Sequence, residues 1–498
     1  MRKYKSGTSR QQTALLPPSV DEYVSEGNPV RAIDAYVDTL DLAFMGVKNS
    51  QAGSHAGQPA YHPRLLIKLY LYGYLNGIRS SRKLEREAGR NLEVIWLVEG
   101  LNPVYKTIAN FRKDNSQTLT AINKDFILLC KQLGLFAGET VAVDGSFFKG
   151  NASKDSIYTE KALARDLLEL DKKIAAYQAE LDAQDRRDDQ SGLGSLVEDS
   201  QLQEKIEKLK DRQAGKQALQ QQLANSSDSQ LSTVDKDARL LSKNGKSVAG
   251  YNVQIVVDSH HKLIVAQEVT QDSSDIKQLS PMLEKAQAVL QSGQLNGLAD
   301  AGYYSFEQLK QADDKGIAIY VPVPKSDGRA VNKGVFARER FSYDPGTDSY
   351  RCPNGGQLHR SGGLKERQGR RVWTSRSKAS MCNSCSIRGQ CLGEKTTRRA
   401  IERWEHEHLV EQHKQRMQGA RGIMKQRSGM VEHPFGTLKH RAGMHHFLMR
   451  GLEKCRGEFG LMTLCYNFTR VLNLLGVEKL REYCLQRAKN GFESPLMA

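Results

Sequence analysis

No run of eighteen or more apolar residues occurs in the 498-residue chain, so nothing in it is expected to span a bilayer as a helix. The opening residues, Met-Arg-Lys-Tyr-Lys-Ser, are basic with no apolar stretch behind them, which excludes a secretory signal and makes the cytoplasm the expected compartment. Negative charge is in short supply: 57 Asp and Glu stand against 73 Lys and Arg, a net +16. Such a field draws polyanions, and nucleic acid is the commonest large one in the cytoplasm. A basic soluble enzyme has the same balance, so charge alone leaves both open. Cysteine is sparse, eight in all, yet Cys352, Cys382, Cys385 and Cys391 fall within one forty-residue window. In a reducing compartment that clustering points to metal before disulfides. With 39% hydrophobic and 26% charged residues the composition is globular, and the length suits about two to four domains.

What is present changes character along the chain. Residues 1–135 read as a helical DNA-binding domain. After His62-Pro63, Leu65, Leu66, Leu69, Tyr70 and Gly73 recur at helical spacing, and Ser80 or Ser81 caps a polar helix. In Tyr105–Asp114, Ile108 and Phe111 are expected to pack inward, with Lys106, Asn110, Arg112 and Lys113 facing out. Short helices ending in one rich in Arg, Lys and Asn resemble a helix-turn-helix reader; a helical bundle with a solvated basic face is the plainer alternative. Residues 136–155 hold a short β-branched run, Thr-Val-Ala-Val, that ends at Asp144 before Gly145. Leu163, Leu167, Leu170, Ile174, Tyr177 and Leu181 then form a heptad seam, answered by Leu202, Ile206, Leu209 and Leu223. Residues 156–241 are therefore expected to be an inserted antiparallel helical hairpin.

Strands resume over 242–325. Gly250–Asp258 and His261–Thr270 read as a β-hairpin, Asp275–Ser292 as an amphipathic helix, Leu295–Asp300 as a strand ending in an acid beside a Gly, and Ile317–Val321 as a further strand. One strand, an insert, two strands, then helix, strand, helix, strand makes an α/β mixed sheet with helices against it. Residues 326–400 are rich in Gly, Arg, Ser and Cys and poor in aliphatics, so they need a metal or a neighbouring domain to hold them. The Cys382-x-x-Cys385 knuckle, with Cys352 and Cys391 to close a four-thiolate set, is the ligand pattern of a structural zinc; reduced thiols packed in a loop-rich module is the other reading. Residues 401–498 return to basic helix. Between 414 and 441 there are seven Lys or Arg and one acid, Glu432, with Lys439 seven residues on and Pro434 between them.

Asp144 and Asp300 at strand ends and Glu432 on a basic helix are three carboxylates in marked settings. Hard cations such as Mg²⁺ or Mn²⁺ take oxygen ligands, and few carboxylates suffice when substrate phosphates complete the shell. Lys439 and Arg427 would neutralise the phosphates. Val-Asp144-Gly-Ser, Ala-Asp300-Ala-Gly-Tyr and Val-Glu432-His-Pro-Phe-Gly-Thr-Leu-Lys439 together resemble the three motifs of the DDE transposases of bacterial insertion sequences. The Glu-(six residues)-Lys spacing is the most specific part. The longer Tyr-(two)-Arg-(three)-Glu-(six)-Lys signature is met only in its second half: Met424 stands where Tyr would, and Arg427 lies one residue too far from Glu432.

The resemblance implies an RNase H-like core shared with retroviral integrases, with Asp144, Asp300 and Glu432 holding Mg²⁺ or Mn²⁺. It implies cleavage at terminal inverted repeats and strand transfer into target DNA, by a homodimer or larger complex on paired ends. Lys106, Arg112 and Lys113 would meet DNA, and the chain would be cytoplasmic and nucleoid-associated. A transposase-derived repressor without catalysis, and an RNase H-like nuclease that does not join strands, remain open alternatives.

Overall fold

The computed structural model describes residues 19–48, 59–191, 196–243, 245–324, 334–367 and 369–489. They fall into two compact units. One comprises 1–137, 145–273 and 431–498; the other comprises 138–144 and 274–430. The chain crosses between them within strand β1 (Thr140–Lys149) and within the helix Arg421–Gly436. Among the described residues no helix is long and apolar enough to cross a membrane.

The N-terminal part of the larger unit contains the helices Pro29–Asp38, Pro63–Leu75, Ser81–Ala88, Leu92–Leu97, Tyr105–Asp114 and Ser116–Gln132. Their starts follow local chemistry: Asn28 and Asn91 accept from the first-turn amides, and Pro29 and Pro63 occupy positions where a missing N–H costs nothing. Against these helices lies the helix Leu452–Leu475, buried along most of its length. Gly457 lets it close on Ser116, whose carbonyl oxygen would lie 2.6 Å from any added Cβ.

At the centre of this packing is a fully buried carboxylate. Glu458 Oε1 accepts from Arg79 Nη2 (2.8 Å) and Tyr74 Oη (3.1 Å), and Oε2 accepts the backbone N–H groups of Leu448 (2.9 Å) and Met449 (3.0 Å). Arg79 also donates to the carbonyl of His446 at 2.5 Å. Arg112 Nη1 donates to Tyr74 Oη and to the Arg79 carbonyl, at 3.1 and 3.2 Å.

Strand β4 (Arg239–Lys243), β5 (Lys246–Asp258) and β6 (Ile264–Thr270) also belong to this unit, with β5 antiparallel to both neighbours. From Ala249 to Asp258 every residue of β5 is buried, as suits a central strand rich in Val and Ile covered on both faces. Gly250 allows β1 to pass beside it, since a Cβ there would fall 2.0 Å from the Phe148 carbonyl oxygen. The free side of β6 is blunted by Asn467, which receives the Ile264 N–H and donates to the Ile264 carbonyl, both at 2.8 Å.

The inserted hairpin is present as Glu160–Ser191 and Leu196–Ala224. Leu163, Ile174, Leu202, Ile206 and Leu223 of the two seams are buried. It ends earlier than residue 241. A two-stranded antiparallel ladder, β2 (Ile157–Thr159) with β3 (Gln230–Ser232), closes its base, and β4 has already joined the main sheet.

In the smaller unit β1 runs parallel to β7 (Leu295–Leu298), and β7 parallel to β8 (Ile317–Tyr320). The full order is β4-β5-β1-β7-β8 with β6 also on β5, a mixed sheet flanked by helices as the α/β expectation requires. A second, antiparallel sheet is built from β9 (Ser342–Asp344), β10 (Ser349–Arg351), β11 (Gln357–Arg360), β12 (Lys365–Arg367), β13 (Arg370–Arg376) and β14 (Ala400–Trp404), in the order β12-β13-β11-β10-β9 with β14 on β13. The Cys-rich segment is therefore more regular than its composition suggests. Its small core is Phe341, Tyr350, Leu358 and Ile401, with Cys352 and Cys391 packed against it.

Removing one partner of a buried ion pair leaves the other charge uncompensated, at a cost of about 3–5 kcal/mol. Glu458→Ala is expected to lower the unfolding free energy by that amount, with a smaller loss for Glu458→Gln. Denaturant titration checks this, and an unchanged midpoint for Glu458→Ala would refute the central role of the carboxylate.

Candidate active site

In the smaller unit the strand register decides where the first two acids lie. Ala142 pairs with Leu298 across the parallel β1 and β7. Asp144 and Asp300 each follow two residues later, both just past the end of the paired stretch; β1 itself runs on beyond Asp144 to Lys149, past the end expected from the sequence. Asp300 is held by the turn it starts: its Oδ1 accepts the Gly302 N–H at 2.9 Å, capping the 3₁₀ turn Ala301–Tyr303. Tyr303 is fully buried in this turn. Burial pushes its phenol well above its ordinary pKa, and the carboxylates of Asp275, Asp144 and Asp300 push in the same direction, while Arg427 opposes them. Asp275 is thus a third acid in this neighbourhood. Its position just before the helix Leu279–Leu290 was the only signal in the sequence, and helix starts commonly carry acids for other reasons.

Arg427 Nη1 stands 3.9 Å from Asp144 Oδ1, with the two side chains 20% and 22% exposed. Nη1 is buried and has no hydrogen-bond partner among the described residues. The pair is an ion pair without a hydrogen bond.

In the larger unit, Glu432 is exposed on the last turns of Arg421–Gly436. This helix continues through Pro434, then widens into a π-helical turn, Thr437–Arg441. Proline removes one i→i−4 bond, and the wider turn follows immediately after the gap. The helical path from Glu432 to Lys439 is still unbroken, with its last turn π rather than α. Lys439 reaches β1: Nζ donates to Ser146 Oγ at 2.5 Å and to the Phe147 carbonyl at 2.9 Å, and lies 4.7 Å from the centre of the Phe148 ring. His433, next to Glu432, shares a 2.9 Å hydrogen bond with Tyr466 Oη, which donates to the Lys262 carbonyl at 2.7 Å.

Lys106, Asn110 and Lys113 are exposed on Tyr105–Asp114, as expected. Arg112 is a correction, for it is 7% exposed and its guanidinium is spent on Tyr74 Oη and the Arg79 carbonyl. Four residues after Ile108, it shares the inward face of the helix.

The four clustered thiols line one cavity of about 60 Å³ in the smaller unit, together with Phe336, Leu358 and Met381. Burial raises the Cys391 thiol pKa. Asn354 Nδ2 donates to Cys385 Sγ at 3.4 Å, and Ser377 Oγ lies 3.0 Å from Cys382 Sγ. All eight cysteines are free. Among the described residues no three His, Cys, Asp or Glu side chains form a group that could hold a metal ion as they stand.

Two family models match the chain. Residues 18–114 match a transposase domain of the DUF772 type, and residues 223–468 match the transposase DDE domain. The second match contains Asp300, Glu432 and Lys439; Asp144 lies before it, beyond the inserted hairpin. No curated protein matches. Among solved structures, the piggyBac transposase in a cryo-EM synaptic complex with hairpin DNA aligns over 95% of this chain and 84% of its own, at 10% identity and a TM-score of 0.33.

Burial and the cations Arg470, Lys262 and Arg441 lower the His433 pKa from its ordinary 6.5. The unfolded chain then binds more protons below that value, so this contribution to stability is whole above about pH 6.5 and lost as the pH falls toward the folded pKa. Replacing His433 by Gln should flatten the dependence of stability on pH below 6.5 and leave its slope above 7 unchanged. Denaturant midpoints measured from pH 5 to 8 check this; equal slopes below 6.5 would contradict it.

Proposed function

This chain belongs to the DDE transposases of insertion sequences, and from that premise we propose that Asp144, Asp300 and Glu432 carry its phosphodiester chemistry. The β1–β7 register supports the reading most directly, since Asp144 and Asp300 each follow by two residues the last pair of the parallel ladder. Support for Glu432 comes from the match to the transposase DDE domain, which covers it together with Asp300 and Lys439.

The donor set fits Mg²⁺ or Mn²⁺, which take oxygen ligands and leave positions for substrate phosphates. When bound, such ions activate the attacking water or 3′-hydroxyl and stabilise the leaving oxygen. The chain's own residues prepare the site. The Gly302 N–H fixes the Asp300 carboxylate, Lys439 fixes β1 just beyond Asp144, and Arg427 holds a positive charge beside Asp144.

The proposed substrate is double-stranded DNA, the terminal inverted repeats and then a target, cut and joined by a homodimer or larger complex in the cytoplasm at the nucleoid. Exposed Lys106 and Lys113 would meet its phosphates. A structural zinc is proposed for the thiol cavity, whose four sulfurs are the donor set of such a site.

Loss of a residue that only supports a metal ligand costs about 10–100-fold, so loss of a ligand itself should exceed about 100-fold. With Mg²⁺ or Mn²⁺ and DNA bearing the inverted repeats that flank the coding region, wild type should cleave and join. Asp144→Asn and Asp300→Asn should bind the same ends and cleave more than about 100-fold more slowly. Cleavage by Asp300→Asn at the wild-type rate would sink the assignment; equal binding without cutting by wild type would favour a repressor. Zinc in the purified wild type, absent from Cys382→Ser/Cys385→Ser, is the expected elemental analysis, and a zinc-free wild type would remove that part of the proposal.

A further inference from the structure

The larger unit carries a second polar feature that the acids do not use, an open cleft of about 1260 Å³. That exceeds the roughly 300–1,000 Å³ usual for small-molecule pockets and suits a length of polymer. Lys149, Lys154 and Arg450 line it and are exposed, against one acid, Asp155. Phe147 and Lys149, which face it, alternate along β1 with Asp144 and Ser146, so the cleft lies out of phase with the catalytic carboxylate.

The wall that presents these cations is stiff. Lys149 bridges in parallel to His446, with the Lys149 N–H donating to the His445 carbonyl (3.2 Å) and the Phe447 N–H to the Lys149 carbonyl (2.8 Å). Asn151 Nδ2 donates to the Leu448 carbonyl and Arg450 Nε to the Asn151 carbonyl, each at 3.2 Å. Behind them, the N–H groups of Leu448 and Met449 end on the buried Glu458 carboxylate. Fixed cations over a span too large for one small anion match a phosphodiester backbone, whose charge repeats along its length.

We propose that this cleft holds phosphates of duplex DNA away from the bond that reacts, without reading bases. The inference rests on the transposase reading above. The same chemistry could come from the element's own end or from target DNA.

Full-length Lys149→Gln/Lys154→Gln and, separately, Asp155→Asn would be compared with wild type for binding to a terminal-repeat duplex and to a duplex of unrelated sequence, between about 50 and 200 mM salt. Two lost phosphate contacts should reduce the slope of log affinity against log salt by about 2, so the double variant loses roughly tenfold less affinity than wild type over that range. Asp155→Asn should tighten binding, an effect that misfolding does not produce. A reduced slope on the repeat duplex alone assigns the cleft to the element's end, and one on both duplexes, or on the unrelated one alone, assigns it to target DNA. Wild-type slopes on both duplexes overturn the proposal, as does weaker binding by Asp155→Asn. Cleavage is scored separately, so a wild type that binds but never cuts counts against the active-site reading and leaves the slope comparison intact.

Discussion

One buried carboxylate organises the larger unit. Glu458 is wholly removed from water, and a charge there is tolerable only because Arg79, Tyr74 and two backbone amides satisfy it together. Each partner comes from a different stretch of chain: a helix near residue 74, the turn at 79, and the segment 448–449 that follows the π-helical turn. The hydrogen bonds therefore tie the N-terminal helices to the C-terminal segment lying along the end of β1. Arg112, on a helix that composition reads as basic surface, belongs to the same network.

Strand β1 is the other organising element, and it serves both units. Before Gly145 it pairs with β7 and delivers Asp144 next to Asp300; after Gly145 it passes close to Gly250, receives Lys439 and walls the basic cleft. Ten residues thus position a carboxylate, anchor a lysine and support a patch of cations. The helix Arg421–Gly436 likewise carries Arg427 in one unit and Glu432 in the other.

Much of this was legible in the sequence because its cause is local. Gly-bounded β-branched runs located the strands that lead to Asp144 and Asp300, though the first continues past its acid to Lys149, and heptad spacing located the long hairpin. The features that escaped it depend on tertiary partners. Nothing in the pattern around Arg112 announces that Tyr74 and the Arg79 carbonyl await its guanidinium, although its spacing of four from Ile108 was a hint. Asp275 looked like an ordinary helix-start acid, and its nearness to Tyr303 exists only once the chain has folded. Pro434 was visible as an interruption, but the π-helical turn that follows it was not, because a proline can equally kink or end a helix. Charge spacing could not foresee that Lys439 would turn back to β1.

The clasp of β2 on β3 at the base of the inserted hairpin bears on how the chain assembles. About a hundred residues separate the middle of β1 from its neighbour β5, and the entropy of closing a loop grows with its length. Most of that separation is the two long helices, whose seam joins residues close in the folded hairpin. Once Ile157 has met Ser232, β1 and β4 emerge from the same place, and only short connections remain to be ordered. A topologically distant pairing is thereby converted into a nearly local one. An insertion of this kind can lengthen a catalytic domain while adding little to the search its central strands must make.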